Sequence, residues 1–565
     1  MNKFVVGMVG LFAAILAYPA SAQQVVASLE TSRIVIAPPQ SAIARTIKDD
    51  LSAAYYGSRT GTQSYDDAQR LYFLYGERHF APIWLSENAD GQVAFSPAAD
   101  KIIALFRDAA AEGLRPEDYL TPAIDLKRVA GDGAALAELE TAFSAAVTRY
   151  AHHLHNGRIR PQSVSENFDI IAKPIDEAAL LERLAKSHDP AAILAELEPK
   201  HPEFLALKAA LANFEAETAE RPAPIAGGAV LRPGNSDARL PAIRQRLALP
   251  GSASSLYDVA TVDAVKAFQQ GQDLEVDGVI GPATIAALNG GAAIRREDLI
   301  ANMERWRWMP ADLGAFNVVV NIPEFRLAIN RDGQEQYGTR VVVGTTKNQT
   351  PIFSDNIRHL VVNPYWNVPN SIIRGEIAPA VLRNPGYIDG QNMDLLYNGT
   401  PVSPWQVDWT QVSAANFPFR VRQRPGAGNA LGQIKFLFPN KHDVYLHDTP
   451  SKSLFARSVR AFSHGCIRVQ NPMEFAEALM ANEPNISRAS LEAMFGPSEK
   501  WVNPQTRIPV HLTYFTLRVD AGGTIRSYGD VYGHNEKLIA ALGLATGPVP
   551  TIIAGAEPIP DELSP

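Results

Sequence analysis

Near residue 315 the hydrophobic period of this 565-residue chain changes, and that change limits the fold more than any other feature. Before it, apolar residues recur at helical spacing. "KIIALFRDAAAEGL" puts Ile102, Leu105, Phe106 and Ala109 on one face, with Gly113 as the C-cap. After it, "AFNVVVNIPEFRLAINRDG" alternates and turns at Asp332-Gly333, and "QEQYGTRVVVGTTKNQTP", "IRHLVVNPYWNVP" and "KFLFPNKHDVYLHDT" continue as strands. One layer cannot satisfy both periods, so the chain reads as a multidomain α+β protein. Its length agrees with three or four domains.

Residues 46–220 read as a helical scaffold, with a helix restarting at Pro116 and another ending at Gly157. His152, His153 and His155 near that end do not share a face, so they read as a helix terminus favoured by the dipole, and no metal site is expected. Residues 219–235, rich in Pro, Gly and Ala, form a linker. A compact helical unit follows at 236–290, then a β-rich domain at 296–540 and a tail at 541–565. The strand pattern breaks at 373–432, an insertion long enough to act as a lid. Gly426, Gly428 and Gly432 within it lack the spacing of a phosphate loop and read as flexible hinges.

The first 22 residues carry Lys3, an apolar run from Phe4 to Tyr18, and Ala20-Ser21-Ala22. This is the form of a cleaved export signal, with cleavage after Ala22. Residues 23–45 read as a linker, and no later stretch is long and apolar enough to span a membrane. The formal charge of −8, without a dense basic block, argues against a nucleic-acid partner.

Export gives meaning to Cys466, the one cysteine of the chain. It has no partner for an internal disulfide, and an exposed thiol is an oxidation hazard. Its neighbours Ser463, His464, Gly465 and Arg468 are poor core material, which points to a thiol kept for reactivity. A nucleophilic cysteine needs a base, and the base an orienting partner. His447 and His464 compete for that role. His447, on a strand with Tyr445 on the same face, is the better-held candidate. Gly465 would let N–H groups near Cys466 face a substrate carbonyl, each such donor contributing about 2.7–4 kcal/mol. Tyr445 could donate to the same oxyanion. Arg468 could bind a substrate carboxylate or depress the thiol pKa.

Two resemblances follow from quoted residues. Asp277-Gly278 through Gly281-Pro282-Ala283-Thr284, with Leu288-Asn289, resembles the three-helix peptidoglycan-binding domain, which implies contact with glycan strands through residues 236–290. His447 followed by Ser463-His464-Gly465-Cys466 resembles the signature of L,D-transpeptidases with the YkuD catalytic domain, and the domain order is similar to their large YcbB-type branch. The resemblance implies Cys466 as nucleophile, His447 as base oriented by a main-chain carbonyl at Asp448 or a neighbour, and the insertion as a capping subdomain. It also places Trp366 of "NPYWNVP" in a substrate groove, against the alternative of a core aromatic.

The activity so implied is 3→3 peptidoglycan cross-linking in the periplasm. A tetrapeptide donor stem acylates Cys466 as a thioester, D-Ala leaves, and the side-chain amine of a second diaminopimelate resolves the adduct. No cofactor is needed, and carbapenems would acylate the same cysteine. Three alternatives remain: an L,D-carboxypeptidase and a protein-to-wall attachment enzyme, which would share the acyl-enzyme, and a non-catalytic wall-binding scaffold. A papain-like protease is excluded by the order of histidine and cysteine.

Overall fold

The computed structural model describes residues 36–545, apart from 37, 61, 88–92, 126–131, 215–222, 224, 227, 252, 273, 290–293 and 521. The expected export signal at 1–22 and most of the expected tail therefore lie outside the described residues. No helix among the described residues is long and apolar enough to cross a membrane. The chain divides into two compact units, one drawn from residues up to Phe106, Glu117–Arg149 and Asp176–Ala191, the other from the rest.

The first unit is mostly helical, with helices Ala42–Gly57, Gln63–Gly76, Pro97–Arg107 and Glu177–Lys186, and one small hairpin pairing Leu85–Glu87 with Val93–Phe95. Side-chain caps start several of these helices: Ser41 accepts from the N–H of Ala44, and Asp176 from that of Ala179. The fully buried Glu140 carboxylate accepts from the N–H groups of Ile83, Trp84 and Leu85 and from the Tyr75 hydroxyl. A non-helical turn is thereby satisfied inside the core. On the predicted 102–109 face, Ile102, Phe106 and Ala109 are buried as expected, but Ile103 takes the place of Leu105. The expected helix at Pro116 is a single 3-10 turn, Pro116–Asp118.

In the second unit, residues 240–289 fold as three helices, Leu240–Arg246, Val259–Gly271 and Pro282–Asn289, around their own core of Leu240, Ile243, Tyr257, Val265 and Ile280. The Asp-Gly motif has a structural reason. Gln269, almost fully buried, bonds to Asp277, the N–H of Gly278, the carbonyl of Val279 and Thr284, and Gly278 has φ +67°. One amide side chain thus closes the turn that opens the last helix.

The β-rich domain holds an eleven-stranded curled sheet. Its strands are β1 (Phe316–Asn321), β2 (Arg326–Arg331), β3 (Gln334–Gly344), β4 (Phe353–Ile357), β5 (His359–Val362), β10 (Ile434–Leu437), β11 (Leu446–His447), β12 (Ala461–Ser463), β13 (Ile467–Val469), β14 (Lys500–Val502) and β15 (Ile508–Thr513). They lie in the order β14-β5-β10-β11-β13-β3-β2-β1-β15-β4, with β12 pairing β3. Val, Ile, Leu and Phe on alternate positions bury against the helix Arg296–Trp308 and the helix Pro472–Leu479. Glu304 and Arg307 within the first of these helices are themselves buried: the N–H of Ile159 donates to Glu304, and Arg307 donates to the carbonyl of Glu112.

Between β5 and β10 the chain leaves this sheet and builds a smaller layer. β6 (Trp366–Asn367), β7 (Met393–Tyr397), β8 (Thr400–Val402) and β9 (Arg420–Gln423) pair in the order β8-β7-β9-β6. Short helical turns across Asn370–Arg383, including a π-turn at Ile373–Ile377, pack on it around a separate core of Ile373, Ile377, Val381, Met393 and Leu395. This cap begins structurally at Trp366 rather than at 373, because β6 pairs with β9.

Candidate active site

Strand β11 runs parallel to β13, with Leu446 opposite Ile467 and His447 opposite Arg468, and the N–H of Ile467 donates to the Tyr445 carbonyl at 3.0 Å. Leu446, Ile467 and Val469 point into the core with no exposed surface. Side chains alternate along a strand, so Tyr445, His447, Cys466 and Arg468 emerge together on the opposite face. On the other side of β11, β10 is antiparallel and sets Lys435 directly across from His447. The sheet thus carries one row of Lys435, His447 and Arg468, with Tyr445 and Cys466 beside it.

His447 is buried, 4% exposed, and its Nδ1 lies 2.5 Å from the carbonyl oxygen of Asp448. A carbonyl only accepts, so Nδ1 carries the proton and Nε2 the lone pair. The Asp448 carboxylate is itself fixed, accepting from the Gln433 N–H at 2.9 Å and from Lys452 Nζ at 2.5 Å. Burial, followed by the charges of Arg468, Lys435 and Lys452, pushes the imidazole down to about 3, against the pull of the Asp448 bond. The half-buried Cys466 thiol is pushed up to about 11 by burial, although hydrogen bonds from the Tyr445 main chain and hydroxyl and the charge of Arg468 favour the thiolate. Its Sγ lies 3.9 Å from the Asp443 carbonyl. Burial and the adjacent thiol hold Tyr445 well above its ordinary value, so its hydroxyl stays a donor. At rest the thiol and the imidazole on this face are both neutral.

The turn before the cysteine is built by short local bonds. The buried Ser463 hydroxyl donates to the Cys466 carbonyl at 2.5 Å and accepts from the Gly465 N–H at 3.1 Å. Thr350 Oγ1 donates to the Gly465 carbonyl at 2.8 Å. Gly465 has φ +114°, a conformation that needs glycine. The Gly465 N–H itself is taken by Ser463, so it is not among the N–H groups near Cys466 left free to face a substrate.

Arg468 makes no ion pair among the described residues, and its buried Nε has no hydrogen-bond partner. An unpaired guanidinium in such surroundings favours a carboxylate that can take its two-pronged bond. Lys435 is buried, donates to the Tyr365 carbonyl at 3.4 Å, lies 3.8 Å from Glu499, and is held below its usual value by burial. His464 turns away to the cap, its Nε2 2.9 Å from Glu376 Oε1. Trp366 stands in the cap core, 9% exposed, which corrects its placement in a groove. Gly432 has a packing reason to be glycine: it has φ +59°, and a Cβ there would collide with the Asp448 side chain. Gly428 has open space around it.

The structure therefore unites Tyr445, His447, Cys466 and Arg468, assigns Ser463 and Gly465 to the turn, and turns His464 toward the cap. Sequence reasoning missed Lys435 and Glu376. Lys435 left a signal, a lysine at a core-strand position of "KFLF"; Glu376 left none. Among the described residues no group of three or more His, Cys, Asp or Glu side chains is placed to hold a metal ion.

Residues 316–486, which hold all four united side chains, match the family "L,D-transpeptidase catalytic domain". The chain carries an L,D-transpeptidase catalytic domain. Residues 243–288 match "Putative peptidoglycan binding domain" and residues 69–211 match "Scaffold domain". A curated Haemophilus influenzae protein named "Putative L,D-transpeptidase" is 34% identical over 244 residues, 43% of this chain and 49% of that protein. The chain thus spans about half the length of the curated relative it matches. An L,D-transpeptidase from Mycobacterium smegmatis is 12% identical over 35% of this chain and 58% of its own, with a TM-score of 0.18. One from Xylanimonas cellulosilytica is 16% identical over 51% and 99%, with a TM-score of 0.17. TM-scores this low carry no weight for function. The catalytic domain, the peptidoglycan-binding domain and the helical scaffold together make a multidomain α+β chain.

Proposed function

We propose that this protein is a periplasmic L,D-transpeptidase that forms 3→3 cross-links through a Cys466 thioester, exported by a signal cleaved after Ala22. The observation that carries the reading is the parallel register of β11 and β13, which sets His447 and Tyr445 beside Cys466 on one face. His447 Nε2 takes the thiol proton as Sγ attacks the carbonyl of the third stem residue of a tetrapeptide donor. The proton passes to the departing amine of D-Ala, leaving the thioester. The Tyr445 hydroxyl, with the main chain at Cys466, stabilises the oxyanion. Arg468 binds a carboxylate of the stem. A thiol held neutral until substrate arrives resists oxidation, because the thiolate is the oxidisable form. Residues 236–290 hold the enzyme near glycan strands.

Mass spectrometry of the protein incubated with disaccharide-tetrapeptide tests the reading. A Cys466 adduct that has lost D-Ala, followed by a dimer, supports it. Tripeptide without dimer would indicate an L,D-carboxypeptidase using the same acyl-enzyme. Unchanged substrate and an unmodified thiol would leave a wall-binding scaffold.

A further inference from the structure

The second half of the reaction poses a charge problem of its own. An amine acceptor arrives as an ammonium ion and must lose a proton before it can attack a thioester. Lys435, Arg468 and Lys452 bring positive charge to His447, and the Asp443 carboxylate brings negative charge to the thiol itself. His447 is also enclosed and a weak base. Two nearby carboxylates are already engaged, Asp448 by Lys452 and Glu499 by Lys435 and the Tyr365 N–H.

Glu376 is different. It lies on the π-turn of the cap, partly exposed, and pairs with no lysine or arginine among the described residues. Turns of this kind recur at functional sites. Its Oε1 lies 2.9 Å from Nε2 of His464, two residues before the nucleophile. In a neutral ring with its proton on Nε2, toward this carboxylate, the lone pair sits on Nδ1, which has no hydrogen-bond partner among the described residues. The cap also approaches the thiol through Tyr445, whose ring packs against both the catalytic core and the cap core.

We propose that Glu376 and His464 form the acceptor side of the site, Glu376 docking the ammonium of the incoming amine and His464 Nδ1 taking its proton. The assignment rests on the acyl-enzyme reading above and adds how the acceptor is chosen. The ammonium gives one proton to His464, which passes it to solvent. The freed nitrogen forms the C–N bond to the thioester carbonyl as the C–S bond breaks, and the amine's second proton returns to Sγ by way of His447. Water needs no cation-docking group, so this carboxylate biases the enzyme toward cross-linking over hydrolysis.

The test uses the full chain and its Glu376→Gln and His464→Gln variants with disaccharide-tetrapeptide, measuring thioester, tripeptide and dimer together. Both variants are expected to lose dimer roughly 100-fold, the scale of general-base catalysis, while thioester still forms and drains to tripeptide. Hydroxylamine, neutral at pH 7, should still capture the thioester in both variants. If thioester, tripeptide and dimer fall in the same proportion, Glu376 merely ties down the cap and the proposal is overturned. Normal dimer in the variants overturns it as well. A lack of thioester in the unaltered protein would instead overturn the acyl-enzyme reading, and this assignment with it.

Discussion

The Nδ1–H of His447 donates to the carbonyl of Asp448, the next residue in its own chain, across 2.5 Å. The imidazole is therefore oriented by main chain, and its lone pair on Nε2 is fixed without a carboxylate partner. Burial first, and then the charge of Arg468, which has no ion-pair partner among the described residues, keep the ring neutral to low pH.

A thiol with its pKa near 11 has a thiolate fraction of about 10⁻⁴ at pH 7. Alkylation of Cys466 by iodoacetamide is therefore expected to quicken about tenfold per pH unit from 7 to 10. A plateau below pH 8 would reveal a thiolate–imidazolium pair at rest and contradict the neutral one.

Stability should fall in acid because of His447. Its folded pKa of about 3 lies below the unfolded value of about 6.5, so below pH 6.5 only the unfolded chain binds this proton. The contribution is intact above that pH and is lost as pH falls from 6.5 toward 3, reaching about 2 kcal/mol at pH 5. His534, also buried and near 3, acts in the same direction. Urea midpoints of the unaltered protein and His447→Gln at pH 7 and 5 isolate the His447 share as the difference that changes with pH.

Arg468→Lys keeps a charge but loses the planar fork. If Arg468 holds a stem carboxylate, KM for the tetrapeptide should rise about 10–100-fold, the value of a charge-assisted hydrogen bond. Arg468→Met should in addition move the His447 titration upward, readable by NMR, because one of the charges depressing it is gone. Unchanged KM in both variants would leave Arg468 without a substrate role.

Gly432→Ala should cut kcat about 100-fold, the scale of a 1 Å misplacement. The added methyl would drive Asp448 away, and Asp448 carries the carbonyl that holds His447. Gly428→Ala, with open space around it, is the control and should leave turnover unaltered. Equal losses in both would point to hinge motion of the insertion instead.

Local pattern made much of this legible. The change of period near residue 315, the Asp277-Gly278 turn and the His447 to Cys466 spacing each arise from neighbours in sequence, and the strands, small helical core and shared face appear accordingly. Trp366 and Gly432 were ambiguous in sequence for a common reason. An aromatic in a proline-flanked segment and a glycine in an insertion read alike whether they face a ligand, a core or a side chain arriving from elsewhere. For Trp366 the pairing of β6 with β9 decided, and for Gly432 the return of the chain at Asp448.

By itself, the sequence determined which residues share the candidate site, because strand alternation and a short motif place them with little long-range information. The tertiary structure alone decided what surrounds them: Lys435 and Arg468 flanking His447, a neutral thiol, and Glu376 brought to His464 from about 90 residues upstream. Such charges act through space and a low-dielectric interior, not along the chain.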